Sequence, residues 1–349
     1  MPNETTGRTG VWSSRRRGFL KAVGALGMSA LSGCVGDWNT STDGEGLAPT
    51  ASDFTTWERP ADQPVFTTDH DTNHDAVLFV EPGETYPYKM IVCRRQREDL
   101  WRARQFHWSA ANWELVDDGY RVADTYELDD GVKVDGTYYL FEEGTVYTYA
   151  GRLEDASGDW EEAGTWPKGN CEDVGVFHED GRFHLFGEYG SVPFSPNDGR
   201  SLSHYTSPSG LGNWTQVDTA AVNPNEEGGG TYGVGDATVV KVDSEYYLYC
   251  DLETRNRPYE IACWTSDSLD GSFEYAETAI EPRRNGRDDW DNYRIQDGDV
   301  QYVPELNRYV MAVNMMDRDG RPGPSAGDRG FDLPGRQTRV VGFFYSRRM

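Results

Sequence analysis

One pattern recurs five times along this chain: an acidic residue, an apolar run, a turn, then an aromatic-rich strand. The copies begin at Asp75 (DAVLFVEPGETYPYKMIV), Asp130 (DGVKVDGTYYLF), Asp173 (DVGVFHEDGRFHLF), Asp236 (DATVVKVDSEYYLY) and Asp299 (DVQYVPELNRYVMAV). Their acids stand 55, 43, 63 and 63 residues apart. A block of this size cannot bury its apolar face alone, so neighbouring copies must stack. In the last three copies the first aromatic of the second strand (Phe183, Tyr246, Tyr309) lies ten residues after the acid. Asp135-Gly136 and Asp180-Gly181 are the dipeptides of tight hairpins. A second motif closes two copies: HYTSPSGLGNW ends at Trp214, and CWTSDSLDGSF ends at Phe273. The first copy has a shortened form, HWSAANW, and the second keeps only Trp160. Each copy thus supplies about four strands, and no helical period of useful length appears. The sequence predicts an all-β, five-bladed β-propeller with four-stranded blades. A two-sheet sandwich would leave the period unexplained.

That geometry carries a functional expectation. The first strand of a propeller blade lines the central channel, so an acid opening it in every blade sets a ring of carboxylates at one mouth. Second strands return to the same mouth. They bring Arg94, Arg95, Glu142, Glu143, Glu188, Asp251, Glu253 and Asn314 close to it. Crowded carboxylates repel one another, and some must hold a proton at a pH where an isolated acid would not.

Charge narrows the partners. The net charge is −26, which argues against a nucleic acid and against docking of the folded surface on anionic lipid. An aromatic content of 13% is too high for a disordered chain. Lysine occurs only at positions 21, 89, 133, 168 and 241, against 28 arginines. A lysine-poor, acid-rich surface is that of a protein soluble in strong salt, which screens self-repulsion. A halophilic source is expected.

The N-terminus reads as an address. Residues 15–21, RRRGFLK, precede an uncharged run, AVGALGMSALSG, and then Cys34. The stretch is similar to a twin-arginine export signal. The run is too short to span a bilayer, which takes ~20 apolar residues. Leu31-Ser32-Gly33-Cys34 resembles a lipobox, with Cys34 as the lipidated residue. The expected organisation is a signal at 1–33, a flexible tether at 34–55 and the propeller domain at 56–349. The protein is expected outside the cell, held to the membrane by its lipid alone. Cys93, Cys171, Cys250 and Cys263 lack metal-ligand spacing, so no metal or other cofactor is expected. Cys250 and Cys263 lie on neighbouring strand-like runs and are the one candidate disulfide.

From about residue 60 onward the chain resembles the five-bladed propeller glycosidases: glycoside hydrolase family 43 and its invertase and levansucrase relatives. The resemblance rests on the blade-opening aspartates and on TSPSGLGNW and TSDSLDGSF, which look like that group's outer-strand motif. It implies hydrolysis of a glycosidic bond in an oligo- or polysaccharide, furanosidic bonds included. Two carboxyls would flank that bond as general acid and general base. It implies Asp75 as the base and Asp173 or Asp236 as the aspartate that tunes the site. The family's acidic Glu falls one residue before a blade-opening acid. That position is Gly235 on one blade and Glu172 on another, so Glu172 is the first candidate, with Glu253 and Glu188 behind it. His74, Asp299, Trp108 and Tyr232 are candidate substrate contacts, the aromatic rings by stacking on sugars. The family's histidine on the last blade has no counterpart, because no His follows His204. The alternative to an enzyme is an inactive propeller that binds carbohydrate at the cell surface.

Overall fold

A computed structural model describes residues 52–59, 72–97, 100–108, 115–117, 121–123, 128–153, 160–189, 201–224, 231–254, 259–283, 291, 294–316 and 339–347. The expected signal, Cys34 and nearly all of the expected tether lie outside the described residues. Among the described residues, no helix is long and apolar enough to cross a membrane.

A single helical turn, α1 (Ser52–Thr55), precedes the strands. The first meander is β1 (Thr72–Val80), β2 (Tyr88–Arg97), β3 (Leu100–Trp108), β4 (Leu115–Asp117) and β5 (Arg121–Ala123). The second is β6 (Asp130–Val134), β7 (Thr137–Glu142), β8 (Thr145–Ala150) and β9 (Glu161–Thr165). The third is β10 (Cys171–Glu179), β11 (Arg182–Tyr189), β12 (Leu202–Ser207) and β13 (Thr215–Val222). The fourth is β14 (Thr231–Val242), β15 (Glu245–Thr254), β16 (Glu260–Ser266) and β17 (Glu274–Ile280). The last is β18 (Arg294–Val303), β19 (Arg308–Met316) and β20 (Arg339–Tyr345).

The middle three meanders are separate four-stranded antiparallel sheets. The first and last share one eight-stranded sheet, because Thr72 of β1 pairs in parallel with Arg339 of β20. Hydrogen bonding therefore divides the described strands into four sheets. The first strands pack side by side in a closed cycle: β1 with β6, β6 with β10, β10 with β14, β14 with β18, and β18 with β1. The architecture is an all-β propeller of four-stranded sheets. Apolar clusters fill each seam. Ile91 and Leu140 lie between the first two meanders, and Phe141 and Val174 between the next two. Phe186 and Trp264 join third to fourth, Ile261 and Met311 fourth to last, and Met90 and Phe343 last to first.

The chain also closes on itself near its N-terminus. Glu58 and Tyr345 exchange backbone hydrogen bonds of 2.6 and 3.0 Å, adding an edge to β20. Phe54 and Trp57 are buried beside Tyr247, Tyr249 and Phe344, and the Tyr249 hydroxyl donates to the Phe54 carbonyl. Packing thus reaches Phe54, within the expected tether.

Two sets of polar bonds tie the inner strands together. Asp130 accepts the Val176 N–H (2.5 Å), Thr238 accepts the Val300 N–H (3.4 Å), and Asp299 accepts the Leu78 N–H. Each bond crosses to the next meander and satisfies a backbone donor there. Between the third and fourth sheets a glycine replaces the bond. A Cβ on Gly175 would stand 1.6 Å from the Ala237 carbonyl oxygen. At the other ends of the first strands, carboxylates hold lysines. Glu81 binds the fully buried Lys89 (2.5 Å) and also Lys133 and the Tyr138 hydroxyl of the second sheet. Glu179 binds Lys241 (2.6 Å) and the Tyr246 hydroxyl (2.5 Å) of the fourth sheet in the same way. Three of the chain's five lysines serve these clamps.

Burial pushes the Asp299 carboxyl up to about 7, against the bonds that Leu78, Gln301, Val300 and Thr238 make to its ionised form. A raised acid contributes stability that is full below its unfolded value of 3.8 and lost as pH rises through about 7. The lysine contacts hold Glu81 and Glu179 below their ordinary 4.5, so those clamps fail only in stronger acid. The denaturation midpoint should therefore fall as pH is raised from about 5 to about 7. In Asp299→Asn that fall should shrink, and an unchanged pH slope would show that Asp299 does not carry the protons.

Cys250 and Cys263, the candidate disulfide, are free. Cys250 stands opposite Ala262, and Cys263 opposite Tyr249. The two are one row out of step, so they point to opposite faces of the sheet. One packs toward the third sheet and the other toward the last meander.

Candidate functional site

Each of four first strands breaks register near its start, and β14 has a further break between Thr231 and Gly233. The four matching breaks fall between His74 and Ala76, Glu172 and Val174, Gly235 and Thr238, and Gln296 and Asp299. At each of these four an aspartate adopts positive φ: Asp75 at 52°, Asp173 at 48°, Asp236 at 48° and Asp297 at 51°. Aspartate is among the few residues that tolerate this left-handed backbone without losing a side chain. The bulge re-aims that side chain out of the strand's alternation. Four strained aspartates at one register position on four strands of a ring mark a shared site.

Electrostatics brings the four together. Burial pushes the Asp236 carboxyl well above its ordinary range, and the charges of Asp297, Asp173, Asp251 and Asp75 push it further. These acids come from the first, third, fourth and last meanders, so all four bulges face one locus. The cluster thus favours the protonated form of Asp236 more than an isolated carboxyl would.

Amide groups organise the far side. Asp297 takes two bonds from the Gln296 amide, at 2.7 and 2.9 Å, and one from the Asn314 amide. Its backbone N–H donates to Asp251 (3.0 Å). One carboxylate oxygen from each of Asp236, Asp251 and Asp297 lies within 4.8 Å of the others. Such an all-oxygen set, with the buried amide oxygens of Gln296 and Asn314 nearby, would suit a hard divalent cation.

Gly235, where the resemblance calls for a glutamate, has an evident tenant. Glu188 Oε2 lies 3.5 Å from where a Gly235 Cβ would be, with the Asp173 carboxylate 3.9 Å away. Glu188 is fully buried and reaches this spot from β11. Glu172 stands directly across the ladder from Glu188 and is half-buried at the strand's opening.

The other candidates divide. His74 immediately precedes the first bulge, and Tyr232 and Glu253 lie on the same side of the bulge in the fourth sheet, where Glu253 pairs with Gly233. Trp108 lies at the wrong end for the expected contact. It pairs with Tyr88, which pairs with Val80, five residues and roughly 16 Å along the strand from Asp75. β3 runs away from the mouth, so its last residue ends at the far edge. Asp299 sits two residues past the bulge, where its carboxylate closes the ring onto Leu78 rather than joining the mouth acids. Asp130 does the same toward Val176, and β6 pairs with β7 without a break in register.

The residue missed by sequence reasoning was Asp297. Counting ten residues back from the first aromatic lands on the bulge aspartates Asp173 and Asp236 because their hairpins have two-residue turns. The last hairpin joins Val303 to Arg308 through four residues. Those two extra residues move the matching acid from Asp299 to Asp297. The PELN turn was visible in the sequence and would have corrected the register.

No family model and no curated protein matches the chain. Solved structures do. An α-L-arabinofuranosidase from Podospora anserina, in complex with cellotriose, aligns with a TM-score of 0.56 at 15% identity, covering 83% of this chain and 97% of that one. An N-acetylgalactosamine deacetylase from F. plautii, in complex with blood group B trisaccharide, aligns at 0.54 and 11%, covering 83% and 94%. A GH43 β-xylosidase/α-arabinofuranosidase from a compost metagenome, in complex with xylotriose, aligns at 0.52 and 13%, covering 83% and 95%. At these identities the likeness establishes the fold, which carries more than one chemistry.

Proposed function

We propose that this chain is a five-bladed propeller glycosidase that hydrolyses an oligo- or polysaccharide by paired carboxylates at the bulge cluster. The five blades are the five meanders whose first strands close the cycle, the shared eight-stranded sheet counting as two. One observation carries the functional reading: four bulge aspartates converge, and burial together with the charges of the others pushes the Asp236 carboxyl well up. A protonated acid beside ionised ones is the pairing that glycoside hydrolysis requires.

In this reading Asp236 donates the proton to the departing oxygen. Asp75, across the ring on β1, holds the attacking water and takes its proton. Asp173 lies between them in chain order, and its charge helps to keep Asp236 protonated. Glu188 and Glu172 line the third blade beside it. Carboxyls on separate blades suit the wider gap of ~6.5–9.5 Å, hence inversion at the anomeric carbon. The test is turnover of a panel of aryl arabinofuranosides, xylosides and natural oligosaccharides, with the product anomer read by NMR. Hydrolysis with inversion supports the reading.

Gly235 favours a second reading, in which the propeller binds glycans without cleaving them. Binding without turnover across the panel would establish it.

The N-terminal features support export and lipid anchoring through Cys34, placing the domain on the outer face of the membrane. A Cys34→Ser variant should be released into the medium, and unchanged membrane retention would refute the anchor.

A further inference from the structure

We propose that His184, His204 and Asp270 form a binding site for a divalent transition-metal ion of the zinc class, at the seam between the third and fourth sheets. The site is separate from the bulge cluster, and its existence does not depend on the catalytic reading.

The two histidines are placed by the ladder. His184 of β11 stands opposite Thr206, and His204 of β12 stands opposite Phe186. They are therefore diagonal neighbours on one face of the sheet, within reach of each other. His184 Nδ1 and His204 Nε2 lie 3.0 Å apart, with the rings within 14° of parallel. Phe186 stacks on His204 at 4.5 Å and 7°, which fixes that imidazole's plane. Both histidines are buried, and His204 Nδ1 has no hydrogen-bond partner among the described residues. Nothing on that side of the ring dictates the tautomer, so Nε2 is free to present its lone pair toward His184.

The third donor comes from the neighbouring sheet. Asp270 sits in the turn after β16, where the Ser268 hydroxyl accepts its N–H (3.3 Å) and the Gly271 N–H reaches the Ser268 carbonyl (3.2 Å). One donor atom from each of His184, His204 and Asp270 lies within 4.8 Å of the other two. Metal–nitrogen bonds of ~2.0–2.1 Å in a tetrahedral shell place two ligating nitrogens ~3.3 Å apart, close to the spacing already built. The Asp270 carboxylate is exposed and already stands within 4.8 Å of a donor nitrogen of each imidazole. Its ion pair with the exposed Arg182 is 3.9 Å long and easily given up. Two imidazoles and one carboxylate suit zinc, cobalt, nickel or copper rather than calcium or magnesium. The solvent side of Asp270 leaves the fourth position to water. A bound ion would add a tie between the third sheet and the fourth beside the apolar cluster of Phe186, Trp264 and Phe273.

The test uses the full chain, freed of metal by chelation, with Co2+ as the spectroscopic probe and Zn2+ titrated by calorimetry. The expected result is one saturable site with the visible absorption of a tetrahedral cobalt centre, displaced by Zn2+. Asp270→Asn changes an exposed side chain and should keep the fold, as circular dichroism will check. Its affinity should fall by at least ~10-fold, the loss already typical when a mere supporting contact of a ligand is removed. Asp297→Asn, in the bulge cluster, should leave the cobalt signal unchanged. The proposal is overturned if no saturable binding appears, if Asp270→Asn binds as the parent does, or if Asp297→Asn abolishes the signal.

Discussion

Replacing Gly175 by alanine should destabilise this protein more than any other single added methyl in its inner strands. The new Cβ would stand 1.6 Å from the Ala237 carbonyl oxygen and 2.4 Å from its carbon. Both are backbone atoms, so no side chain can swing aside. Ala237 is itself part of the bulge that re-aims Asp236, with Thr238 next on the strand. Relief would require the third and fourth sheets to part along β10 and β14. Overpacking in cores commonly costs ~1–3 kcal/mol, and a clash with backbone belongs at or beyond the top of that range. Gly271→Ala is the control, because its Cβ would meet nothing nearer than 3.4 Å. Chemical denaturation of both variants decides the matter. A Gly175→Ala midpoint equal to that of the parent would show that the two strands do not approach as described. The site should suffer with the fold, since Asp173 and Asp236 flank this contact.

The second large effect is chemical. Asp75→Asn should keep the fold, because asparagine also accepts the left-handed backbone at φ 52°. It removes the base, so turnover should fall by ~10²–10⁴-fold. The loss should be similar for alkyl and nitrophenyl glycosides, since activating water is needed whatever departs. Added azide, which needs no base, should restore part of the rate. Asp75→Ala should lose stability as well, because alanine resists that backbone. A Asp75→Asn variant that turned over at the parent's rate would remove Asp75 from the mechanism.

The fold was legible because it is periodic. Acid, apolar run, turn and aromatic strand recur, and the turn dipeptides Asp135-Gly136 and Asp180-Gly181 adopt positive φ at both residues, as tight hairpins require. The joining of the first and last meanders was not legible, because a single pair, Thr72 with Arg339, lies 267 positions apart and leaves no local trace. The docking of Phe54 and Trp57 was hidden likewise. It depends on Tyr247, Tyr249 and Phe344, far along the chain.

The site was legible in outline and blurred in register. Asp75, Asp173 and Asp236 each open an apolar run, and each stands at a bulge. Asp297 was displaced by a longer turn, and the same displacement cast Asp299 as a mouth residue when it is a tie between sheets. Asp130 and Asp299 look like Asp75 in sequence, yet they accept backbone N–H groups two residues past the bulge position. Only the ladder distinguishes an acid that faces the channel from one that faces its neighbour's backbone. The role of Glu188 was harder still. Its carboxylate fills the space that the absent side chain of Gly235 leaves on a different sheet, and neither residue reports the other in sequence.

The most direct test of the central claim compares Asp236→Asn with the parent on two substrates that share a sugar and differ in leaving group. If Asp236 holds the proton that the leaving oxygen needs, the variant should lose ~10²–10⁴-fold on an alkyl glycoside. It should lose far less on a nitrophenyl glycoside, whose departing phenolate needs little help. Glu172→Gln and Glu188→Gln, measured beside it, should lose the same factor on both substrates. Equal losses for Asp236→Asn on the two substrates, with the leaving-group dependence appearing in Glu172→Gln or Glu188→Gln, would contradict the account.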